Sequence, residues 1–206
     1  MVLLWVVFYL DVEFNLHLYK YGILPRTAEG LKGILFYPLI HGSIEHLFSN
    51  TVPLLMLGWC LFYFYREIAF KTFFWIYLMS GVWIWISARE SYHIGASGLV
   101  YGLVTFLFFS GWFRKEKKVA AISMLVIFLY GGLWWGMLPI KEDISFEGHI
   151  WGAFAGLLLA VVFRKQGPQK PIYTWEEDEI DNQIIQPQFP NNKSEEVKVN
   201  YTYSEK

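Results

Sequence analysis

SYHIGASGLVYGLVTFLFFSGWF, residues 91–113, runs for 23 residues without an Asp, Glu, Lys or Arg. A transmembrane helix needs about 20 mostly apolar residues at 1.5 Å each. Four more uncharged runs flank this one: 46–65, 72–88, 119–140 and 148–163, of 20, 17, 22 and 16 residues. The two shorter ones reach spanning length once the apolar flanks Ile68–Phe70 and Ile144–Phe146 are added. A sixth run, Val2–Leu10, is stopped by Asp11 and Glu13 and lacks the basic start and small-residue cleavage site of a signal peptide. It reads as a short or clipped first span. The runs are continuously apolar, unlike the ten-residue alternation of a barrel strand, so helices satisfy the backbone in lipid. The expected fold class is an all-α polytopic membrane protein with six transmembrane helices.

Charge placement agrees. The chain has 206 residues, 55% hydrophobic and 20% aromatic, with net charge −1. Residues 1–163 hold only 21 of the 35 charged residues. That is about half the share a soluble domain carries, too little for a surface facing water. Near-neutral charge without a basic stripe argues against nucleic acid as a partner. The single cysteine, Cys60, excludes a disulfide framework and a Cys-based zinc site. Two segments are expected: a transmembrane domain over 1–164 and a cytoplasmic tail over 165–206. The tail carries Glu176, Glu177, Asp178 and Glu179 and has no apolar period, so disorder is expected. A docking peptide around Tyr173–Trp175 is the alternative.

Basic residues set the orientation. Arg66 and Lys71 follow the second span, Arg114, Lys115, Lys117 and Lys118 the fourth, and Arg164, Lys165 and Lys170 the sixth. Only Arg89 and Lys141 occupy the loops after spans three and five, while the long loop 14–40 holds Lys20, Arg26 and Lys32. The positive-inside rule then places both termini in the cytoplasm and starts each even-numbered helix on the outside.

Intramembrane polar groups are costly and point to function. His46 and Asn50 open span two, Ser97 opens span four and His149 opens span six. All four therefore belong at one depth, near the outer surface. His46 and Asn50 share a helix face at i,i+4, as do Ser97 and Tyr101. Gly152 and Gly156 share a face with His149, and Gly98 and Gly102 give span four a similar small-residue edge. Such spacing lets membrane helices approach closely, close enough for the Ser97 hydroxyl to reach the His149 ring.

A neutral imidazole can take the hydroxyl proton and make serine a nucleophile. The resulting oxyanion needs donors already in place. His46, Asn50 and the Ser97 backbone N–H are the candidates, and Gly95 and Gly98 leave room for a substrate backbone. Each residue alone has a plainer reading. A membrane-helix serine commonly bonds its own i−4 carbonyl, and a lone histidine commonly makes one interhelical bond. The four at one depth favour chemistry.

These residues resemble the rhomboid intramembrane serine proteases in their compact six-helix bacterial form. GASG, Gly95 to Gly98, is similar to the nucleophile motif of that family, which implies Ser97 as nucleophile. Tyr101 matches the tyrosine packed on the catalytic histidine, and His149 with Gly152 and Gly156 matches the histidine and its glycines at +3 and +7. His41, His46 and Asn50 match an H-x4-H-x3-N pattern in which the second histidine and the asparagine support the oxyanion and the first is structural. The resemblance covers roughly residues 38–163. A Trp–Arg motif of the first loop is missing, and the nearest arginine is Arg26. What the resemblance implies is a hydrolase of a multi-pass bacterial inner membrane, opening to the extracytoplasmic side. It would cut transmembrane protein substrates near the outer end of a helix, after a small residue, with no cofactor.

The rivals are weaker. A metal site would draw on His41, His46, His149 and Glu45 or Glu147, but no H-E-x-x-H occurs, so no metal is expected. Glu147, two residues from His149, falls on the opposite face. A transporter would favour charges or broken helices at the midplane. A catalytically silent relative acting as a chaperone or adaptor would be expected to have lost Ser97 or His149. Both are present.

Overall fold

A computed structural model describes residues 1–115 and 145–167, with six isolated positions between them. Six α-helices lie in the described residues: α1 Val2–Phe14, α2 Ala28–Phe36, α3 Ile44–Phe64, α4 Ala69–Ser87, α5 Ser97–Phe113 and α6 Phe146–Val162. Short 3-10 turns at Leu18–Tyr21 and Tyr37–Leu39 join the first ones. No strand occurs among the described residues, and Ile23 and His93 form an isolated antiparallel bridge. Apart from those six positions, the expected span 119–140 lies outside the described residues, as does the tail beyond Gly167.

Helix α5 is the centre of the bundle. It buries every residue from Gly98 to Val104, then Phe106, Leu107, Ser110 and Gly111. A helix apolar all round is a buried one, and α6, α3 and α4 all pack on it, α6 most extensively. Trp59, Tyr63, Phe70 and Trp112, by contrast, stand more than two-thirds exposed on the outer faces of the bundle. In water so much exposed aromatic surface invites association; against lipid it is solvated.

Helix lengths vary. At 1.5 Å per residue α3 is about 32 Å long, α5 and α6 about 26 Å, and α1 about 20 Å. Only α3 and α4 among the described helices are both long and apolar enough to cross a bilayer by themselves. Helix starts follow local chemistry. Ser43 caps α3 by accepting the His46 N–H at 3.1 Å, with Glu45 in the first turn. Ser145 caps α6 by accepting the Gly148 N–H at 3.3 Å, with Glu147 in the first turn. Both arrangements satisfy orphan donors and complement the helix dipole.

The first loop departs from the reading of 14–40 as loop. Thr27 caps α2, accepting the Gly30 N–H at 3.0 Å. Gly30 and Gly33, weak helix formers, are retained because a Cβ on either would overlap the backbone of Leu24 or Gly22. Arg26, the nearest match to the missing Trp–Arg motif, sits in the left-handed region at φ 60°. Its Nη1 donates to the Ala88 carbonyl at 2.7 Å, its N–H to Trp85 at 2.9 Å, and Trp85 Nε1 returns a bond to Thr27 O. The first loop is thereby tied to the end of α4.

Candidate active site

The α5/α6 seam is backbone against backbone. A Cβ on Gly152 would overlap the Gly98 carbonyl oxygen, and one on Gly156 would overlap that of Gly102. Thr105 Oγ1 crosses the same seam to the Ala153 carbonyl at 2.9 Å. Only glycine permits this approach. It brings the first turn of α6 beside that of α5, and the Ser97 Oγ lies 2.8 Å from His149 Nε2. Tyr101, one turn below Ser97, stacks flat on the His149 ring, 4.2 Å between centroids and 10° between planes. The stack fixes the ring plane and leaves an edge towards the serine.

Helix α3 arrives at the same place from the other side. Gly95 has φ +104°, a conformation that side chains rarely adopt. A Cβ there would also press to 2.6 Å from the His46 ring and 3.7 Å from Asn50 Nδ2. The His46 and Asn50 heads therefore gather at Gly95, two residues before Ser97. Asn50 is 3% exposed, yet its Nδ2 has no hydrogen-bond partner among the described residues. A buried donor left open costs stability, so Asn50 Nδ2 stands ready to donate to a group outside the described residues. At the start of α5 the first backbone N–H groups, Ser97 included, likewise lack intrahelical acceptors.

His41 supports this loop from beneath. Its Nε2 accepts the Ala96 N–H at 3.4 Å, and its ring lies 5.0 Å from that of His46. Burial, and then the neighbouring His46, push its pKa down to about 4. His41 is thus neutral at physiological pH, as an acceptor must be.

All the residues named from the sequence meet here: Ser97, His149, Tyr101, His46, Asn50, His41 and the glycines at 95, 98, 152 and 156. Glu147 turns away, as expected, and meets Arg89 at 3.5 Å. Among the described residues no three His, Cys, Asp or Glu side chains are grouped to hold a metal. The sequence reading missed Tyr37, whose carbonyl accepts the Gly95 N–H at 2.8 Å and whose hydroxyl lies 2.8 Å from Ser80 Oγ. It also missed His93, a buried ring in the loop leading to Ser97. Tyr37 left no signal, because a backbone carbonyl carries none. His93 left one, an imidazole four residues before the serine.

The family model of the Rhomboid domain matches residues 28–166, which contain every one of these side chains. The chain belongs to the rhomboid family. An uncharacterized protein of Mycobacterium tuberculosis is 34% identical over 171 residues, covering 77% of this chain and 70% of its own length. One from Mycobacterium leprae is 34% identical over 169 residues, 78% and 67% of the two chains. RHOMBOID-like protein 4 of Arabidopsis thaliana is 31% identical over 143 residues, 66% of this chain and 34% of that one. As a rhomboid, the chain is an integral membrane protein, and its exposed aromatic faces fit that setting.

Proposed function

We propose that this rhomboid is an active intramembrane serine endopeptidase, with Ser97 as nucleophile and His149 as general base. The observation that carries the reading is the 2.8 Å contact between Ser97 Oγ and His149 Nε2 under the Tyr101 stack. His149 Nε2 accepts the hydroxyl proton as Ser97 Oγ bonds to the carbonyl carbon of the substrate. The carbonyl electrons move to oxygen, where the Ser97 N–H, His46 and the open Asn50 Nδ2 are placed to receive the charge. His149 then returns its proton to the leaving amine as the C–N bond breaks. Water repeats the sequence on the ester and frees Ser97.

The substrate class is a transmembrane segment of another protein, cut near its outer end after a small residue. The proposed topology has six spans, counting 119–140, with cytoplasmic termini and the site facing outward, in a bacterial inner membrane. Supporting it are the basic residues after α3, α5 and α6, on the ends away from Ser97. A silent chaperone-like rhomboid is the rival, and no feature of the site favours it.

The test is cleavage of a model transmembrane substrate by reconstituted protein. Wild type should cut it with or without EDTA, and Ser97→Ala should not. Equal cleavage by Ser97→Ala, or EDTA loss restored by zinc, would refute the reading. For topology, cysteine at Tyr92 should label with an impermeant reagent in intact cells and cysteine at Lys115 should not; the reverse pattern would overturn the orientation.

A further inference from the structure

One buried histidine is unused by this mechanism. His93 is 1% exposed and lies in the loop between α4 and α5. Its backbone pairs both ways with Ile23, N–H to carbonyl at 2.8 Å and carbonyl to N–H at 3.0 Å. Its ring is held at both nitrogens. Nε2 lies 3.0 Å from the Arg89 carbonyl, with Ser91 Oγ at 3.5 Å, and Nδ1 lies 2.6 Å from Ser145 Oγ. A carbonyl oxygen only accepts, so Nε2 carries the proton and Nδ1 is the acceptor. Ser145 must then donate its hydroxyl proton to His93 Nδ1, leaving its lone pairs for the Gly148 N–H at 3.3 Å. The Ser145 carbonyl also accepts the His149 N–H at 3.4 Å. Burial holds the His93 pKa below the ordinary histidine value, which keeps Nδ1 free to accept.

Resting on the reading of Ser97 and His149 as a catalytic pair, we propose that His93 is a positioning residue that sets their distance through Ser145. The argument is one of connectivity. His93 belongs to the segment that ends at Ser97, four residues on. Through Ser145 it grips the first turn of α6, where His149 sits four residues after the cap. The two reacting groups come from chain segments 52 residues apart, and His93–Ser145 crosses the same interval on the same two segments. The glycine seam presses α5 and α6 together sideways. The glycines themselves offer no side chain to limit sliding, and the Thr105 bond to the Ala153 carbonyl lies about two turns below Ser97. The His93–Ser145 hydrogen bond is a directional stop at the helix starts themselves. Arg89 and Glu147 lie beside it, joined at 3.5 Å, with the Arg89 N–H also donating to Glu147 Oε1 at 3.3 Å.

Three variants test it: His93→Phe, which keeps a ring without hydrogen bonds; His93→Asn, whose Oδ1 can replace Nδ1 as acceptor; and Ser145→Ala. The readouts are the rate of fluorophosphonate attachment to Ser97, kcat and KM on a transmembrane substrate, and the thermal midpoint. His93→Phe and Ser145→Ala should each slow labelling and kcat roughly 10- to 100-fold, since small misplacements of reacting groups cost that much. KM should stay within about twofold. His93→Asn should recover most of the rate, and the double variant His93→Phe/Ser145→Ala should be no slower than the slower single. Wild-type labelling rates in His93→Phe or Ser145→Ala would overturn the positioning role alone, leaving the catalytic pair standing. So would strictly multiplicative losses, or equal rescue by Asn and Phe at matched thermal midpoints. If His93→Phe does not fold, Ser145→Ala decides by itself. A wild-type protein that takes no label at Ser97 would remove the catalytic reading, and this inference with it.

Discussion

The two ends of helix α5 are built on opposite terms. At its start, the polar groups are Ser97, His46 and Asn50, none of them a permanent charge, and the buried Asn50 Nδ2 has no partner among the described residues. At its finish, Arg114 is buried and bonded to its neighbours. Nε donates to Ser110 Oγ at 3.1 Å, Nη2 to the Phe163 carbonyl at 2.5 Å, and the guanidinium lies 5.1 Å above the Tyr65 ring. Both ends join α3, α5 and α6. One end spends its polar groups on holding the helices, while the other keeps some in reserve. The lesson is that polarity alone does not mark a site: the Arg114 bonds hold helices together, whereas the open Asn50 Nδ2 lies beside Gly95, two residues from Ser97.

That contrast can be broken first at its chemical end. Ser97→Ala and His149→Ala should each lower kcat by on the order of 10⁴-fold or more, and the double variant should be no worse than either, because the pair acts as a unit. Additive losses in substrate cleavage would mean the two residues work separately. At the opposite end, Arg114→Met should leave kcat per folded molecule unchanged yet cost about 1.5–3 kcal/mol by removing the charge-assisted bonds to Ser110 Oγ and the Phe163 carbonyl. Reversible denaturation in mixed micelles measures that cost; a loss of kcat without a loss of stability would erase the distinction between the ends.

Asn50→Ala sharpens the comparison. Removing a donor that finds no partner at rest should barely lower the thermal midpoint. It should lower kcat by about 10²-fold or somewhat less, with KM little changed, because other oxyanion donors remain. A rise in KM at constant kcat would assign Asn50 to substrate binding instead.

A pH dependence tests the support beneath the site. The His41 pKa is about 4 when folded, against an ordinary value of 6.5. The unfolded chain therefore binds the extra proton first as pH falls. Stability from this group is complete above about pH 6.5 and declines as pH drops towards 4, by at most about 3 kcal/mol. The stability curve of His41→Gln should be flatter than wild type over that window, and parallel curves would contradict the assignment.

Much of this was legible in the sequence for a physical reason. The uncharged runs at 46–65, 72–88 and 148–163 became α3, α4 and α6, since lipid tolerates little charge. The run 91–113 supplied α5 only from Ser97, because residues 91–96 form the loop that carries His93 and Gly95. Ser97, His149 and the glycines of the seam were readable because helical spacing converts sequence interval into a shared face. Helix α2 was not readable: Gly30 and Gly33 hide a helix whose capping Thr27 is its clearest mark. Nor was the role of His93, whose partners are a backbone carbonyl and a serine 52 positions away.

The most direct test of the central claim is to map the site of covalent attachment after fluorophosphonate treatment of the full-length protein. The pairing of Ser97 with His149 predicts one adduct, on Ser97, formed by wild type and lost or slowed by orders of magnitude in His149→Ala. An adduct on another residue, no adduct in wild type, or labelling of Ser97 at an unchanged rate without His149 would contradict it.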